Sequence, residues 1–388
     1  MKISVHVFWD SIENASRLMK ETSSMLKLGL VDKIHIYGIG KSHLDRVSVV
    51  NENCVIYRSP ILVIPKFLSR FFFLKRIFSL FNFLLFHLYV LIKVTIVKPQ
   101  YISCHNLMLL PLSKWCKGIT GSVFIYEPHE LETERTGLVG RAKRISAWIE
   151  HKYIYSADKV LTVCKPIEDW YRSRYNLNNV YTLRNIPLNP LKTKEFKRTK
   201  LLRSEFNIPD EHIVFIYQGV LDPARGIVEL VELFKSISND KHLVLMGYGR
   251  SAEWIIENSC ENIHYMPAVP VEKIIEYTSS ADVGLIFINH KVSLSYKYSL
   301  PNKFFEYLMA GLPVIVSNNL SYLSDIINEN KLGWVYPTQS NELKDKINNL
   351  SKLEINALKD NISLYSSQND WKLEESKLLD LYNIIIAN

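Results

Sequence analysis

Residues 299–316 decide the fold and read Ser-Leu-Pro-Asn-Lys-Phe-Phe-Glu-Tyr-Leu-Met-Ala-Gly-Leu-Pro-Val-Ile-Val. Pro301 suits the opening of a helix and Gly311 its C-terminal cap, and an apolar strand pattern follows directly. Lys303 and Glu306 are three residues apart, so both lie on one helix face near the N-terminus, where a cation and a carboxylate can point to one place. An ion pair on a solvated face is the alternative interpretation.

Upstream, a second loop follows the apolar run 213–217. Gly219 and Gly226 permit close approach of the backbone, and Arg225 between them carries a planar cation suited to phosphate. A helix pattern begins after Gly226, and its N-terminus offers free N–H groups to an anion. This loop is a candidate phosphate site, with an ordinary turn that bears a surface Arg as the alternative.

A third loop follows the apolar run 242–246 and contains Gly247 and Gly249. Small residues at this position let a nucleotide lie against the backbone, although Gly-x-Gly is also common in simple turns. The chain after its first predicted strand has no complete Gly-x-Gly-x-x-Gly. The sequence therefore disfavours a dinucleotide-dependent dehydrogenase.

Apolar runs rich in Val, Ile, Tyr and Phe alternate with helical patterns along most of the chain, which is typical of βαβ units and parallel sheets. The predicted strands are residues 3–9, 33–37, 54–58, 101–104, 123–126, 160–163, 180–183, 213–217, 242–246, 263–266, 283–288 and 314–316. We therefore predict an α/β protein of two doubly wound, Rossmann-like domains facing a central cleft, with ligands beyond the carboxyl ends of the strands.

A break in the alternation sets the domain boundaries. Residues 1–188 form the predicted N-terminal domain, 189–200 a linker rich in Pro and Lys, and 201–367 the C-terminal domain. Residues 368–388 are predicted to form a final helix that packs back toward the N-terminal domain. A chain of 388 residues is long enough for two such domains, each with its own core.

Charge is divided unevenly between the two halves. Residues 1–190 carry 26 basic and 14 acidic side chains, whereas residues 191–388 carry 21 and 25. No acidic residue lies between Glu52 and Glu127. A positive field of this kind favours a polyanionic partner, either nucleic acid or an anionic membrane surface.

Cysteine usage and the N-terminus bear on location. The five cysteines are dispersed, with no Cys-x-x-Cys pair and no zinc-type spacing, which is typical of reduced thiols in a reducing compartment. The first ten residues lack the basic segment, long apolar run and cleavage site of a secretory signal. We therefore expect a cytoplasmic protein.

His129 is the candidate for chemistry in the first half of the chain. It follows the predicted strand 123–126 and is flanked by Glu127 and Glu130, two carboxylates that could orient it. A histidine at the carboxyl end of a strand is placed for hydrogen bonding to a substrate or for proton transfer. A purely structural histidine is the alternative.

Taken in order, these loops resemble the retaining GT-B glycosyltransferases of family four (glycosyl transferases group 1) of the bacterial surface-polysaccharide type. The resemblance covers nearly the whole chain and rests on residues 217–219, 225–226, 247–249 and 281–285 and, with most specificity, on 301–314. It implies that the C-terminal domain binds a nucleotide-diphosphate sugar and the N-terminal domain the acceptor. The donor-binding residues it implies are Gly219, Arg225, Gly226, Gly247, Gly249, Asn302, Lys303 and Glu306.

The resemblance also implies roles for single residues. Glu306 corresponds to the carboxylate that accepts hydrogen bonds from the ribose hydroxyls, Arg225 to a cation at the pyrophosphate, and His129 to a histidine beside the transferred sugar, so His129 and Glu306 are the predicted catalytic residues. Positive groups and helix N-termini can stabilise the departing diphosphate without a divalent metal. The sequence contains no Asp-x-Asp triplet, and we expect neither a metal nor another cofactor.

Two positions depart from the family pattern. Tyr298 stands where the family commonly has a second glutamate, eight residues before Glu306, and Val220 stands where the family has a first phosphate-contacting Arg. Either the site is rebuilt with Lys297 or Lys303, or its activity is weakened.

Residues 66–97 combine cations with aromatic and aliphatic side chains. The predicted membrane or acceptor surface consists of Lys66, Arg70, Phe71, Phe72, Lys75 and Arg76. The uncharged run 77–92 is shorter than the roughly 20 residues that a spanning helix requires, so the pattern favours a helix in the membrane interface. A long buried helix is the alternative for residues 77–97, and nucleic acid is disfavoured because no RNA-binding signature occurs and stacking platforms need separated aromatic residues.

The sequence thus predicts a glycosyltransferase peripheral to the inner face of the cell membrane, acting on a polyprenyl-linked or polysaccharide acceptor in capsule, exopolysaccharide or O-antigen assembly. The predicted partners are a nucleotide sugar, the lipid-linked glycan and an anionic membrane surface, with no nucleic acid. Two alternatives stay open, a GT-B-fold nucleotide-sugar epimerase and a catalytically silent scaffold of a polysaccharide assembly complex.

Overall fold

The computed structural model describes residues 1–13, 15–64, 70–188, 198–288 and 293–387. The chain divides into two compact units, the first comprising Met1–Arg184 with Glu374–Asn388 and the second comprising Asn185–Leu373. Most of the predicted linker 189–200 and the position of Lys66 lie outside the described residues.

The described part of the first unit contains an eight-stranded sheet in the order β3-β4-β2-β1-β5-β6-β7-β8. The strands are β1 (Ile3–Val7), β2 (Lys33–Gly38), β3 (Val47–Asn51), β4 (Cys54–Arg58), β5 (Tyr101–Cys104), β6 (Val123–Tyr126), β7 (Lys159–Thr162) and β8 (Val180–Thr182). The helices between them are α1 (Ser16–Lys27), α2 (Phe72–Val97), α3 (Leu110–Thr120), α4 (Gly140–Tyr153) and α5 (Lys165–Tyr175). All neighbouring strands are parallel except β3, which runs antiparallel to β4.

The second unit contains a six-stranded parallel sheet in the order β11-β10-β9-β12-β13-β14 within its described residues. Its strands are β9 (Ile213–Val220), β10 (Lys241–Tyr248), β11 (Ile263–Pro267), β12 (Val283–Ile286), β13 (Val314–Ser317) and β14 (Gly333–Tyr336). The helices of this unit are α6 (Leu201–Glu205), α7 (Ile227–Phe234), α8 (Ala252–Glu257), α9 (Ile274–Thr278), α10 (Leu294–Lys297), α11 (Asn302–Met309), α12 (Ser321–Asn330), α13 (Asn341–Asn349), α14 (Lys352–Asn356) and α15 (Lys359–Gln368). The last helix, α16 (Trp371–Ala387), begins in this unit and belongs to the first unit from Glu374 onward.

Alternating side chains of β9 show why this sheet is covered on both faces. Val214 and Ile216 pack in a core that includes residues of α11, whereas Phe215 and Tyr217 pack in a second core that includes residues of α7. Successive strand residues point to opposite faces, so an uninterrupted apolar run packs against a core on each face of the sheet. The predicted α/β architecture of two doubly wound sheets is confirmed.

Two strands escaped the sequence prediction. β3 (Val47–Asn51) is an edge strand whose residues are mostly exposed, so it lacks the buried periodicity on which strand prediction depends. β14 (Gly333–Tyr336) is partly exposed throughout, so it too lacks a buried periodicity. Both lie at sheet edges, where one strand neighbour suffices.

The final helix contributes to the first unit from Glu374 onward. The buried carboxylate of Glu374 accepts hydrogen bonds from the backbone N and from Nη2 of Arg184, both at 2.8 Å. Tyr382 packs edge-on against Tyr101 of β5, with ring centroids 5.0 Å apart. These contacts fix the helix to the sheet at β5 and to the segment after β8.

Helix α2 is exposed along most of its length. Of its 26 residues, Phe86, Val90 and Val94 are buried, whereas Phe72 and Phe73 are 68% and 72% exposed. The alternative of a long buried helix is therefore wrong within this unit. By length and composition alone α2 could cross a membrane, with a mean hydropathy of 2.0 in its most apolar 18-residue stretch. The helix begins at Phe72.

Candidate functional site

The carboxyl ends of β9 and β10 lie side by side and depend on glycine. Gly219 and Gly247 are paired in the strand register, and a Cβ atom on Gly247 would lie 1.8 Å from the Gly219 carbonyl oxygen. A Cβ atom on Gly249 would lie 2.2 Å from the Leu221 carbonyl oxygen. Any larger residue at either position would force the two strand ends apart.

The loop between β9 and α7 is ordered by its own side chains. Asp222 Oδ1 accepts a hydrogen bond from the backbone N of Ala224 at 3.0 Å, and Asp222 Oδ2 accepts one from Arg250 Nε at 2.9 Å. Gly226 adopts a left-handed conformation (φ 73°) and starts α7. The loop thereby directs the partly exposed Arg225 toward the hydroxyl of Tyr217.

Lys303 lies in the first turn of α11 and reaches the end of β9. Its Nζ is 3.7 Å from the centroid of the Tyr217 ring and 3.7 Å from where a Cβ atom on Gly219 would be. Burial of the ammonium group and, second, the positive charge of Arg225 lower the pKa of Lys303 to about 7, while Glu306 opposes the shift. The amine is thus partly deprotonated at neutral pH, and a nearby anion would favour its protonated, charged form.

Glu306 is held by a polar side chain that the sequence analysis did not single out. Gln218 Nε2 donates a hydrogen bond to Glu306 Oε2 at 2.5 Å, and Gln218 Oε1 accepts one from Thr278 Oγ1 at 2.6 Å. The backbone N of Gln218 donates to the Tyr307 hydroxyl at 3.0 Å. The two side-chain bonds fix the orientation of the amide and so the position of the carboxylate.

We call the group Tyr217, Gln218, Arg225, Lys303 and Glu306 the β9 cluster. It joins two cations and a carboxylate at the carboxyl end of a central strand, where doubly wound sheets bind ligands. Gly219, Gly226, Gly247 and Gly249 supply the adjoining backbone. The structure therefore brings together the residues that the sequence assigned to donor binding, and Asn302 lies partly exposed at the start of α11.

The two positions that depart from the family pattern flank this cluster in sequence. Val220 is the last residue of β9 and is 36% exposed. Tyr298 directly follows α10 and is partly exposed. The ammonium group of Lys303 lies against Gly219, the residue that precedes Val220.

In the first unit, His129 is joined to two further imidazoles. His105 Nδ1 is 3.1 Å from His129 Nε2, and His6 Nδ1 is 3.0 Å from His105 Nε2. Burial lowers the pKa of His6 to about 3 and, with the charge of Arg17, that of His129 to about 3. The three rings, which we call the imidazole chain, are therefore neutral near pH 7.

The imidazole chain corrects the sequence interpretation of His129. Glu130 pairs with Arg135 at 3.0 Å, and the buried Glu127 lies with Oε2 3.9 Å from His105 Nδ1. The orienting group at His129 Nε2 is thus His105 and not a flanking carboxylate. The sequence places these histidines on β1 and after β5, but only the parallel pairing of β1 with β5 and of β5 with β6 brings them together.

His6, His105 and Glu127 lie close enough together to share a metal ion, with ligand atoms within 4.8 Å of one another. Both nitrogens of His105 are engaged by other imidazoles. Burial and the charge of Glu21 raise the pKa of Glu127 well above its ordinary range. The positive charge of Arg17 opposes this shift without reversing it. A protonated carboxyl beside a guanidinium is a poor cation ligand, so this donor set does not fit a metal.

The predicted membrane surface lies at the start of α2. Phe71, Phe72 and Phe73 are all exposed, with the guanidinium of Arg70 5.0 Å from the Phe71 ring centroid and that of Arg76 4.4 Å from the Phe72 ring centroid. Lys75 lies in the first turn of the same helix and is exposed. Aromatic rings and cations are thus presented together to solvent.

Comparison with known proteins bears on both units. Residues 226–370 match the sequence model of the glucosyltransferase 3-like C-terminal domain family. The comparison with curated proteins gives no match. The matched segment begins at Gly226 and includes Lys303 and Glu306, the two members of the β9 cluster that lie on α11.

Solved structures are similar over the full chain. A sucrose-phosphate synthase from Thermosynechococcus elongatus has a TM-score of 0.77 and 16% identity, with 100% of both chains covered. HepE of Anabaena, solved with UDP-glucose, has a TM-score of 0.71 and 11% identity, again over 100% of both chains. WaaG, a glycosyltransferase involved in lipopolysaccharide biosynthesis, has a TM-score of 0.67 and 13% identity over 98% of this chain and 99% of its own. The resemblance to GT-B glycosyltransferases is confirmed, at the level of the fold.

Proposed function

We propose that this chain, which has the GT-B fold, is a glycosyltransferase that moves a sugar from a nucleotide-diphosphate sugar to an acceptor hydroxyl. The observation that carries the proposal is the β9 cluster, in which Arg225 and Lys303 lie against Tyr217 and the neighbouring Gln218 holds Glu306. A nucleotide sugar offers ribose hydroxyls to a carboxylate and a diphosphate to cations. The match to a glucosyltransferase family over residues 226–370 and the UDP-glucose bound by HepE support this donor class.

Each part of the cluster has a role in donor binding. The carboxylate of Glu306 accepts hydrogen bonds from the ribose hydroxyls, with its orientation set by Gln218. The diphosphate lies against the close-packed backbone at Gly219 and Gly247, where Lys303 Nζ is 3.7 Å from the position of a Cβ atom on Gly219. Asn302 and Lys303 open α11, and Lys303 reaches the same end of β9, so the N-terminus of this helix is placed to attract an anion.

Transfer breaks the bond between the anomeric carbon and the diphosphate oxygen, and that oxygen keeps the electron pair. The acceptor hydroxyl oxygen forms the new bond, and its proton passes to the departing diphosphate. Arg225 and Lys303 stabilise the developing negative charge, which places the electrostatic work on protein cations and requires no divalent metal. Attack from the face that the diphosphate leaves gives retention of configuration, as the family resemblance implies.

The first unit would receive the acceptor. His129 stands beyond the carboxyl end of β6, the edge at which doubly wound sheets bind their ligands. The resemblance to family four places such a histidine beside the transferred sugar. We assign His129 to hydrogen bonding with the sugar or acceptor, and Glu306 to donor binding.

We further propose that the acceptor is a polyprenyl-linked or polysaccharide glycan at an anionic membrane surface. Support comes from the exposed face of α2, where Phe72, Phe73, Leu84 and Ile96 are each more than half exposed. Apolar and aromatic side chains flanked by cations suit the interface of a bilayer with anionic lipids. The proposed site of action is the inner, cytoplasmic face of the membrane, in capsule, exopolysaccharide or O-antigen assembly.

A panel of nucleoside diphosphates and nucleotide sugars tests the donor assignment by thermal stabilisation. A ligand at 100 times its dissociation constant stabilises by about 2.7 kcal/mol. We expect one base to stabilise the wild type and Lys235→Ala, which removes an exposed cation of the same unit, but not Arg225→Ala. Equal stabilisation of Arg225→Ala and wild type would overturn the site assignment. Interconversion of nucleotide sugars without acceptor would instead identify an epimerase, and binding without turnover on any acceptor a silent scaffold.

A further inference from the structure

The imidazole chain continues inward from His129 to a serine hydroxyl. His6 Nε2 lies 3.3 Å from Ser4 Oγ, so the hydrogen-bonded order is Ser4, His6, His105 and His129. Ser4 and His6 both belong to β1 and are fully buried. The order therefore runs from the interior of the sheet to the candidate substrate edge.

Because the imidazoles are neutral, the hydrogen bonds along the chain must all run in one donor-to-acceptor direction. A neutral ring has one N–H group and one lone pair, so each link needs a donor on one ring and an acceptor on the next. Protonation of His6 at Nδ1 therefore requires that His105 accept at Nε2 and carry its own proton on Nδ1. One proton position fixes all the others, because the three pKa values keep the rings neutral.

The serine end selects the direction. A hydroxyl always carries one proton, and a buried O–H group without an acceptor is costly. Among the residues that the structure describes, His6 Nε2 is the partner of the Ser4 hydroxyl, and no second one occurs. Ser4 therefore donates to His6 Nε2, His6 Nδ1 donates to His105 Nε2, and His105 Nδ1 donates to His129 Nε2.

Packing holds the rings in place for this arrangement. The His6 and His105 rings are stacked with centroids 5.3 Å apart, and the Phe8 ring lies 5.4 Å from His105 and 5.6 Å from His129. Rotation of the His105 or His129 ring would break a link and meet Phe8.

We propose that Ser4, His6 and His105 are positioning residues that hold His129 as the tautomer protonated at Nδ1. His129 then presents an N–H donor to its ligand and does not act as a general base, since its lone pair at Nε2 is already engaged. The ligand chemistry this fits is a sugar hydroxyl or ring oxygen that accepts a hydrogen bond. The ligand assignment rests on the proposed function, whereas the tautomer itself does not.

Nitrogen-15 NMR of protein labelled at histidine tests the tautomer without any substrate. His129→Gln identifies the His129 signals by their loss. We expect wild-type His129 to show a protonated Nδ1 and an unprotonated Nε2, and we expect Ser4→Ala to move it toward the opposite tautomer. A wild-type His129 protonated at Nε2, or an unchanged tautomer in Ser4→Ala, would overturn the proposal.

Controls separate positioning from general damage. A second row of imidazoles, His212, His242 and His264, lies in the other unit with ring nitrogens 2.8 and 3.0 Å apart, and its signals should not change in Ser4→Ala. Ser4→Thr restores the hydroxyl and should restore the wild-type tautomer. Should Ser4→Ala fail to fold, the tautomer of His129 in the wild type and in Ser4→Thr still tests the proposal, since both are expected to carry the proton on Nδ1.

Kinetics supply a second readout once transfer has been measured. We expect Ser4→Ala to lower kcat about threefold to tenfold, the range of one hydrogen bond, with the KM for the donor unchanged. Absence of transfer activity in the wild type would refute the proposed function. The tautomer of His129 would still be tested by the NMR measurement, which needs no substrate.

Discussion

Gln218 Nε2 donates a hydrogen bond of 2.5 Å to Glu306 Oε2, and this bond joins the carboxyl end of β9 to α11. The same amide is held from its other side by Thr278 Oγ1. The carboxylate is therefore positioned before any ligand arrives, so less conformational freedom is lost on binding.

Gln218→Leu should weaken binding of the preferred nucleoside diphosphate by about threefold to tenfold, because one hydrogen bond that orients Glu306 is lost. Isothermal titration calorimetry measures the change. Gln100→Leu, at an exposed position in the first unit, is the matched control and should bind as the wild type does. Unaltered affinity in Gln218→Leu would show that the amide does not position the carboxylate.

The lowered pKa of Lys303 leads us to expect that the protein takes up a proton when a diphosphate binds. Its pKa is about 7 in the unliganded protein, so the amine is mostly neutral above that pH. A bound diphosphate favours the charged form and raises the pKa, so a proton is taken up near pH 8 and affinity falls as pH rises above 7. Calorimetry in two buffers of different ionisation enthalpy measures the uptake, which Lys303→Met should abolish. Proton release, or uptake that persists in Lys303→Met, would contradict this assignment.

Gly247→Ala should destabilise the protein by at least about 2 kcal/mol, the scale of a severe steric change. The added Cβ atom would meet the Gly219 carbonyl oxygen at 1.8 Å. The matched control is Gly118→Ala in α3, where no atom lies within 4 Å of the new Cβ and where alanine should stabilise by about 0.5–1 kcal/mol. Urea unfolding measures both, and equal effects of the two substitutions would exclude the close approach of the strand ends.

The exposed start of α2 predicts binding to anionic vesicles. Phe72→Ser with Phe73→Ser should weaken co-sedimentation with phosphatidylglycerol vesicles at least about tenfold, since burying one such side chain is worth about 1.5–3 kcal/mol. Leu353→Ser, at a residue of the second unit that is 82% exposed, is the control. Binding that is insensitive to the phenylalanine changes, to lipid charge and to salt would remove the membrane proposal.

The parallel core of both sheets was predictable because its strands are continuous apolar runs separated by helical patterns. β4, β5 and β6 begin and end at the predicted residues. β9 and β10 extend to Val220 and Tyr248, beyond the predicted ends. Glycine interrupted the apolar pattern there, yet glycine is what lets these two strand ends pair.

The side-chain partners of the candidate site were less predictable. Gln218 carries no sequence signal beyond a polar residue at the end of an apolar strand. His6 and His105 lie 99 positions apart in sequence, and only the pairing of β1 with β5 makes them neighbours. Lys303 was predictable as a cation near Glu306, but its lowered pKa depends on burial and on Arg225.

Acceptor-dependent release of nucleoside diphosphate tests the central claim most directly. The assay combines the preferred nucleotide sugar with vesicles that carry a polyprenyl-linked glycan, and it compares the wild type with Glu306→Gln and Lys235→Ala. We expect release by the wild type and Lys235→Ala only when acceptor is present, and a loss of about tenfold to a hundredfold in Glu306→Gln, the range for a hydrogen bond to a charged group. Equal rates in the wild type and Glu306→Gln would contradict the account.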